Sequence, residues 1–191
     1  MADYYKSKEF QEHRNRVNYM LEKYPSVESP KGWIRKGEFS VGGFEHFGFS
    51  ESSDILFVAS SQGRGLIDMD KNERIARDYS KDYPIDETFL VSEGFDILEG
   101  QTVKLSSKYG GSLLPVCNSA HETLVRVSPL YPCEDIIFQP PWENCFSEGH
   151  NKNCVRIYRG FLCCFGFSFS GKYFVIADDG GIMYWKSTHA E

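Results

Sequence analysis

The residue types best suited to chemistry gather around Gly63-Arg64-Gly65. Two glycines permit backbone conformations with open N–H groups, and a guanidinium between them is a planar cation that fits a carboxylate or phosphate. Arg77 and Asp78 follow on what reads as the next strand, and Asp68 is a pairing partner for either arginine. Arg64, Asp68, Arg77 and Asp78 are therefore candidate contacts for an anionic ligand or a partner. A hairpin turn with a salt-bridged arginine accounts for the same residues. A second candidate region runs from Glu134 to Asn153 and contains Gln139-Pro140-Pro141-Trp142-Glu143-Asn144. An irregular loop with an aromatic anchor and an acidic rim suits protein contact, which singles out Trp142 and Glu143. The alternative is an ordinary connection with Trp142 tucked into the core.

Metal and nucleophile chemistry are less well served. Cys133, Cys145, His150 and Cys154 share one stretch, but their gaps are eleven, four and three residues, so only His150 and Cys154 resemble a ligand hook. Small core hydrophobes explain the cysteines better, and no metal or other cofactor is expected. Tyr109-Gly110-Gly111-Ser112 lacks the spacing of a phosphate-binding loop, and Asp178-Asp179-Gly180-Gly181 lacks the distal carboxylate of a calcium loop, so both read as turns. No G-x-S-x-G elbow occurs. His46 and His121 are the histidines that could serve a serine or cysteine as base, and no motif ties either to one.

These residues need a scaffold, and the pattern of apolar residues describes it. Phe10, Val17, Met20, Leu21 and Tyr24 recur at helical spacing, which predicts one helix over residues 3–24, with Ser7 as a cap and Pro25 as its stop. Residues 25–32 form a connector. After Trp33 the period changes to short β-branched or alternating runs, among them Ile55–Ala59, Gly65–Met69, Arg74–Arg77, Leu124–Val127 and Tyr173–Ala177. Polar turns separate them, including Gln62-Gly63-Arg64-Gly65. The expected fold is mainly β, an antiparallel sheet assembly with one N-terminal helix packed against it, in a single domain over residues 1–191.

One pattern occurs twice. The segment Phe47-Gly48-Phe49-Ser50 through Ala59 aligns without gaps on Phe165-Gly166-Phe167-Ser168 through Ala177, and each copy continues through a polar turn into another strand. The block resembles a hairpin of a WD40-like β-propeller blade, with Phe167-Ser168-Phe169-Ser170-Gly171-Lys172 and Trp185 closest to that pattern. Blades recur every 40–45 residues or so, whereas these copies begin at Phe47 and Phe165, so a compact assembly of blade-like hairpins is expected instead of a closed propeller. The order strand, Gly63-Arg64-Gly65, strand, Ala76-Arg77-Asp78-Tyr79 also resembles a bacterial β-rich family, a likeness that implies no particular chemistry.

Composition bounds the function. In 191 residues, 21 basic side chains against 27 acidic ones leave a formal charge of −6. That balance speaks against binding a nucleic-acid backbone. The apolar run Phe161–Phe169 is too short to cross a membrane as a helix. No apolar signal segment is visible at the N-terminus, so a cytoplasmic protein with reduced thiols is expected. The leading reading is a non-catalytic interaction protein with a protein partner, of the immunity or antitoxin type, whose acidic surface suits a basic partner. The alternative is a small enzyme or anionic-ligand-binding domain with a site at Gly63-Arg64-Gly65, where Arg64, Arg77, Asp68 and His46 would converge on a cleft.

Overall fold

The computed structural model describes residues 6–80 and 83–189. Helix α1 (Lys8–Glu22) begins where the Ser7 hydroxyl accepts a hydrogen bond from the Phe10 N–H at 3.2 Å. That cap satisfies one of the free donors of the first turn. The expected start at residue 3 falls outside the described residues. Pro25 enforces the end, because a residue before proline is pushed out of helical geometry. The apolar stripe behaves as its spacing requires: Leu21 and Tyr24 are buried, with Val17 beside them, against Val127, Ile137, Cys145 and Cys154.

The strands pair into antiparallel sheets. The strands are β1 (Trp33–Ser40), β2 (Phe44–Ser50), β3 (Ile55–Ser60), β4 (Gly63–Asp68), β5 (Glu73–Asp78), β6 (Ile85–Asp86), β7 (Val91–Glu93), β8 (Thr102–Ser107), β9 (Thr123–Val127), β10 (Glu134–Gln139), β11 (Val155–Gly160), β12 (Leu162–Phe167), β13 (Tyr173–Asp178) and β14 (Gly181–Ser187). They form sheets in the orders β5-β4-β3-β2-β8-β7-β6, β1-β14-β13-β12 and β11-β10-β9. The fold is the mainly β, one-helix assembly that the sequence pattern predicts.

The repeated sequence is a repeated structure. Phe47 pairs with Val58 and Leu56 with Ile67 in the first copy, and Phe165 pairs with Ile176 and Phe174 with Trp185 in the second, at matching positions. A register shift recurs at the same place, between Phe44 and His46 and between Leu162 and Cys164. Each copy is completed by a fourth strand, β5 in the first and the N-terminal β1 in the second. The copies do not bury equivalent faces against each other. Phe47, Phe49, Leu56, Val58 and Ile67 of the first pack on Tyr173, Val175, Ala177, Ile182 and Tyr184 of the second. The second copy's Phe167, Phe174, Ile176 and Trp185 then pack on Leu124, Ile136 and Phe138 of the three-stranded sheet. The first copy's Phe57, Ala59 and Leu66 pack on Leu98, Val103 and Leu105. The copies thus stack face to back, and each is apolar on both faces.

Register also corrects one turn. The turn between β3 and β4 is Ser61-Gln62, because Ser60 pairs with Gly63 and Arg64 with Ala59. Gly63-Arg64-Gly65 is therefore strand, not turn. Gly63 has φ of 109°, and a Cβ there would lie 2.2 Å from the Asp78 carbonyl oxygen, so only glycine fits. The equivalent turn in the second copy is Asp179-Gly180, where the Asp178 carboxylate accepts hydrogen bonds from the Gly180 and Gly181 N–H groups at 2.8 and 3.1 Å.

One buried ion pair joins the helix to the three-stranded sheet. Asp135 on β10 is buried and accepts from Arg156 Nε at 2.9 Å. The same guanidinium donates to the carbonyls of Leu21 and Glu22 at 3.0 Å each, and to Ser26 Oγ at 3.1 Å. It thereby satisfies carbonyls left open at the helix end. Arg159 closes on the other edge of the Asp135 carboxylate at 2.6 and 2.7 Å, from a more exposed position. Removing one member of a buried pair leaves an uncompensated charge, at a cost of about 3–5 kcal/mol. Asp135→Ala is expected to lose stability on that scale, and Arg159→Ala less than about 1 kcal/mol. Urea denaturation measures both, as shifts in midpoint at unchanged slope.

Candidate functional site

The arginines of the Gly63-Arg64-Gly65 region serve the fold. Arg64 Nε lies 2.9 Å from the Asp78 carboxylate, and its Nη1 donates to the Glu93 carbonyl at 3.1 Å. The guanidinium carbon sits 4.4 Å from the Phe95 ring centroid and 5.7 Å from that of Tyr83. Arg64 is thus a clamp that holds the segment around β7 against β4 and β5, by charge and by cation–π attraction. Arg77 pairs with Gly65, which places it on the opposite face from Arg64 and Asp78. Its Nη2 donates to the Gln62 carbonyl at 3.2 Å, and it lies over the Tyr79 ring. Asp68 caps its own turn. It accepts from the N–H groups of Asp70 and Lys71 at 3.0 Å, and Lys71 Nζ is 3.0 Å away. Those hydrogen bonds hold its carboxyl below the usual range. Asp68 pairs with neither arginine.

Among the described residues, none of Arg64, Arg77, Asp68 and His46, expected to converge on a cleft, lines any of the five principal clefts, of about 220 to 560 Å³. The physical reason is the strand assignment. Once Gly63-Arg64-Gly65 is part of a paired strand, its N–H groups are ordered by the ladder and alternate side chains point to opposite faces.

The loop between β10 and β11 behaves differently. Trp142 is 93% exposed, at a φ of 65°. His121, on the loop before β9, also has positive φ, at 62°, and its ring centroid lies 6.2 Å from that of Trp142. Both loops are tied down beneath this pair. The Glu143 carboxylate accepts from the Asn153 N–H at 2.9 Å and from the Asn153 side-chain amide, and Cys154 Sγ lies 3.7 Å away. Gln139 Oε1 accepts from the Cys145 N–H at 3.0 Å. Glu122 accepts from Trp33 Nε1 at 3.2 Å and from the Asn118 amide at 2.8 Å, while Asn118 Oδ1 accepts from the Ala120 and Glu122 N–H groups. Glu143 therefore does not form a free acidic rim; it braces the loop that carries Trp142. Non-glycine residues at positive φ persist where surrounding contacts enforce them, and such positions cluster at functional sites.

Cys145, Cys154 and Cys163 are not activated as nucleophiles. Cys145 and Cys154 are buried, and burial pushes them up to about 11 and about 12. Burial and the Asp179 carboxylate raise Cys163 to about 11. A thiol is reactive as thiolate, so these groups are inert at neutral pH. No group of three or more His, Cys, Asp or Glu side chains among the described residues is arranged to hold a metal ion. His46 is 1% exposed; its Nε2 lies 3.2 Å from Glu87 Oε1, while Nδ1 has no hydrogen-bond partner. Burial lowers its pKa from 6.5, against the opposing pull of Glu87 and Glu45.

No protein-family model matches the chain, and a search of curated proteins finds no relative.

His46 generates a pH prediction. Its folded pKa lies below the unfolded value, so the unfolded chain binds a proton that the folded one does not. Its neutral burial therefore supports the fold fully above about pH 6.5, and that support is lost as pH falls from there toward the folded pKa. His46→Gln is expected to flatten this part of the stability profile. Midpoints of urea unfolding measured between about pH 5 and 8 test it; an unchanged profile would remove His46 as the cause.

Proposed function

We propose that this chain is a non-catalytic interaction protein that engages a protein partner through the Trp142–His121 projection. The observation that carries this reading is Trp142, 93% exposed on a loop that hydrogen bonds hold in place. Exposing an indole costs hydrophobic free energy, and bracing a loop beneath it lowers the entropy cost of association. Tryptophan is also enriched among the residues that dominate binding energy at interfaces. The structural employment of Arg64, Asp68 and Arg77 weighs against the alternative of a catalytic or anion-binding site at Gly63-Arg64-Gly65.

The formal charge of −6 favours a basic partner, as an immunity or antitoxin-type protein would meet. Long-range attraction of that kind speeds association and is screened by salt.

The test is recovery of a stoichiometric protein partner from the cells that encode this chain, with Trp142→Ala as control. The substitution is expected to weaken the complex by about thirtyfold, the effect of losing about 2 kcal/mol, with thermal stability almost unchanged because the side chain is exposed. Association is expected to slow as ionic strength rises. Recovery of the same partner at equal affinity by Trp142→Ala, or of none by the native chain, would overturn the reading.

A further inference from the structure

The largest of the five clefts, about 560 Å³, lies between the C-terminal half of α1 and the segment 146–154. Its volume falls within the range of small-molecule sites. Its lining includes the apolar side chains Val17, Met20, Tyr24 and Phe146. The walls are fixed to each other: the Tyr24 hydroxyl donates to the Cys145 carbonyl at 2.6 Å and accepts from the Asn151 amide at 2.9 Å. The Asn144 N–H donates to the His150 carbonyl at 2.6 Å, which closes the loop on itself. The cleft is therefore formed before any ligand arrives.

Its charge runs against that of the molecule. Arg16, Lys23 and Lys152 line it, with Glu148 as the one carboxylate in the lining, in a chain with more acids than bases. None of the three cations is ion-paired among the described residues. Arg16 reaches His13 Nδ1 at 3.4 Å, and Lys23 Nζ lies 3.9 Å over the Tyr19 ring. Apolar side chains and unpaired cations lining one cleft are complementary to one kind of molecule. We propose that this cleft binds a small amphipathic anion, an aromatic or acyl body that carries a carboxylate, sulfonate or phosphate. The body covers Met20 and Phe146, and the anionic group meets Arg16 and Lys152. The site lies apart from the Trp142–His121 pair and does not rest on the function proposed for that pair.

Anilinonaphthalene sulfonate is a suitable probe, with its uncharged analogue phenyl-naphthylamine as the charge control. The native chain is expected to bind one equivalent of the sulfonate with a blue-shifted emission, while near-UV circular dichroism shows the packed state, because loosened states also bind this dye. The double variant Arg16→Gln/Lys152→Gln is expected to weaken the sulfonate about tenfold, as loss of charge-assisted contacts implies, and to leave the neutral analogue almost unchanged. Phe146→Ala is expected to weaken both dyes. Trp142→Ala is expected to affect neither, which separates this site from the partner surface. The proposal fails if the folded chain binds no stoichiometric sulfonate, or if the double variant, or Lys152→Gln alone in its exposed loop, binds both dyes as the native chain does.

Discussion

The face-to-back contact between the two copies of the strand repeat is the constraint that organises this molecule. Phe47, Phe49, Leu56 and Val58 meet Tyr173, Val175, Ala177 and Tyr184, and that contact leaves the opposite face of each copy still apolar. A copy buried on one face only would expose the other to water, at a cost proportional to its apolar area. Each copy therefore requires a further layer: the strands around β8 on one side and the three-stranded sheet on the other. Four polar contacts from Tyr173, Tyr184 and Lys186 fix the relative placement. Tyr173 Oη donates to Asp70 at 2.6 Å, Tyr184 Oη lies within hydrogen-bond distance of Met69 O and Asn72 Oδ1, and Lys186 pairs with Asp70. These polar contacts specify one arrangement of two apolar surfaces that would otherwise slide.

The three-stranded sheet, once docked, becomes the platform for everything near the candidate surfaces. Its outer face receives α1, and the Asp135–Arg156 pair ties the end of that helix to β10 and β11. The loop between those strands is thereby held at both ends and along its length by Glu143, Gln139 and Tyr24. Its two sides present different chemistry. One carries an exposed indole beside an imidazole, the other closes a cleft lined by cations and apolar side chains against the helix. A chain with an overall acidic balance thus lines this cleft with more cations than carboxylates, which net charge alone conceals.

Local signals made much of the architecture legible. Ser7 and Pro25 mark the helix ends because capping and the restriction before proline act over a few residues. Ile55–Ala59 and Tyr173–Ala177 read as strands, and their unbroken apolar character already signals burial on both faces. The two-residue turn at Asp179-Gly180 follows from an aspartate that caps its own loop. Gly63-Arg64-Gly65 misleads for a local reason too: glycine density suggests a turn, whereas Gly63 is demanded by the Asp78 carbonyl of a neighbouring strand.

What the sequence determined by itself was the helix, many of the strands, the repeat and the direction of the net charge, since each depends on composition or on neighbours along the chain. Only the tertiary structure decided how the functional side chains are used. Arg64 is committed to Phe95 and Glu93, Arg156 to a helix end more than a hundred residues earlier, and Glu143 to Asn153 across its loop. The exposure of Trp142 beside His121, and the gathering of Arg16 with Lys152, likewise follow from which segments meet when both faces of the repeat are covered. Such meetings are set by long-range packing, which no local spacing records.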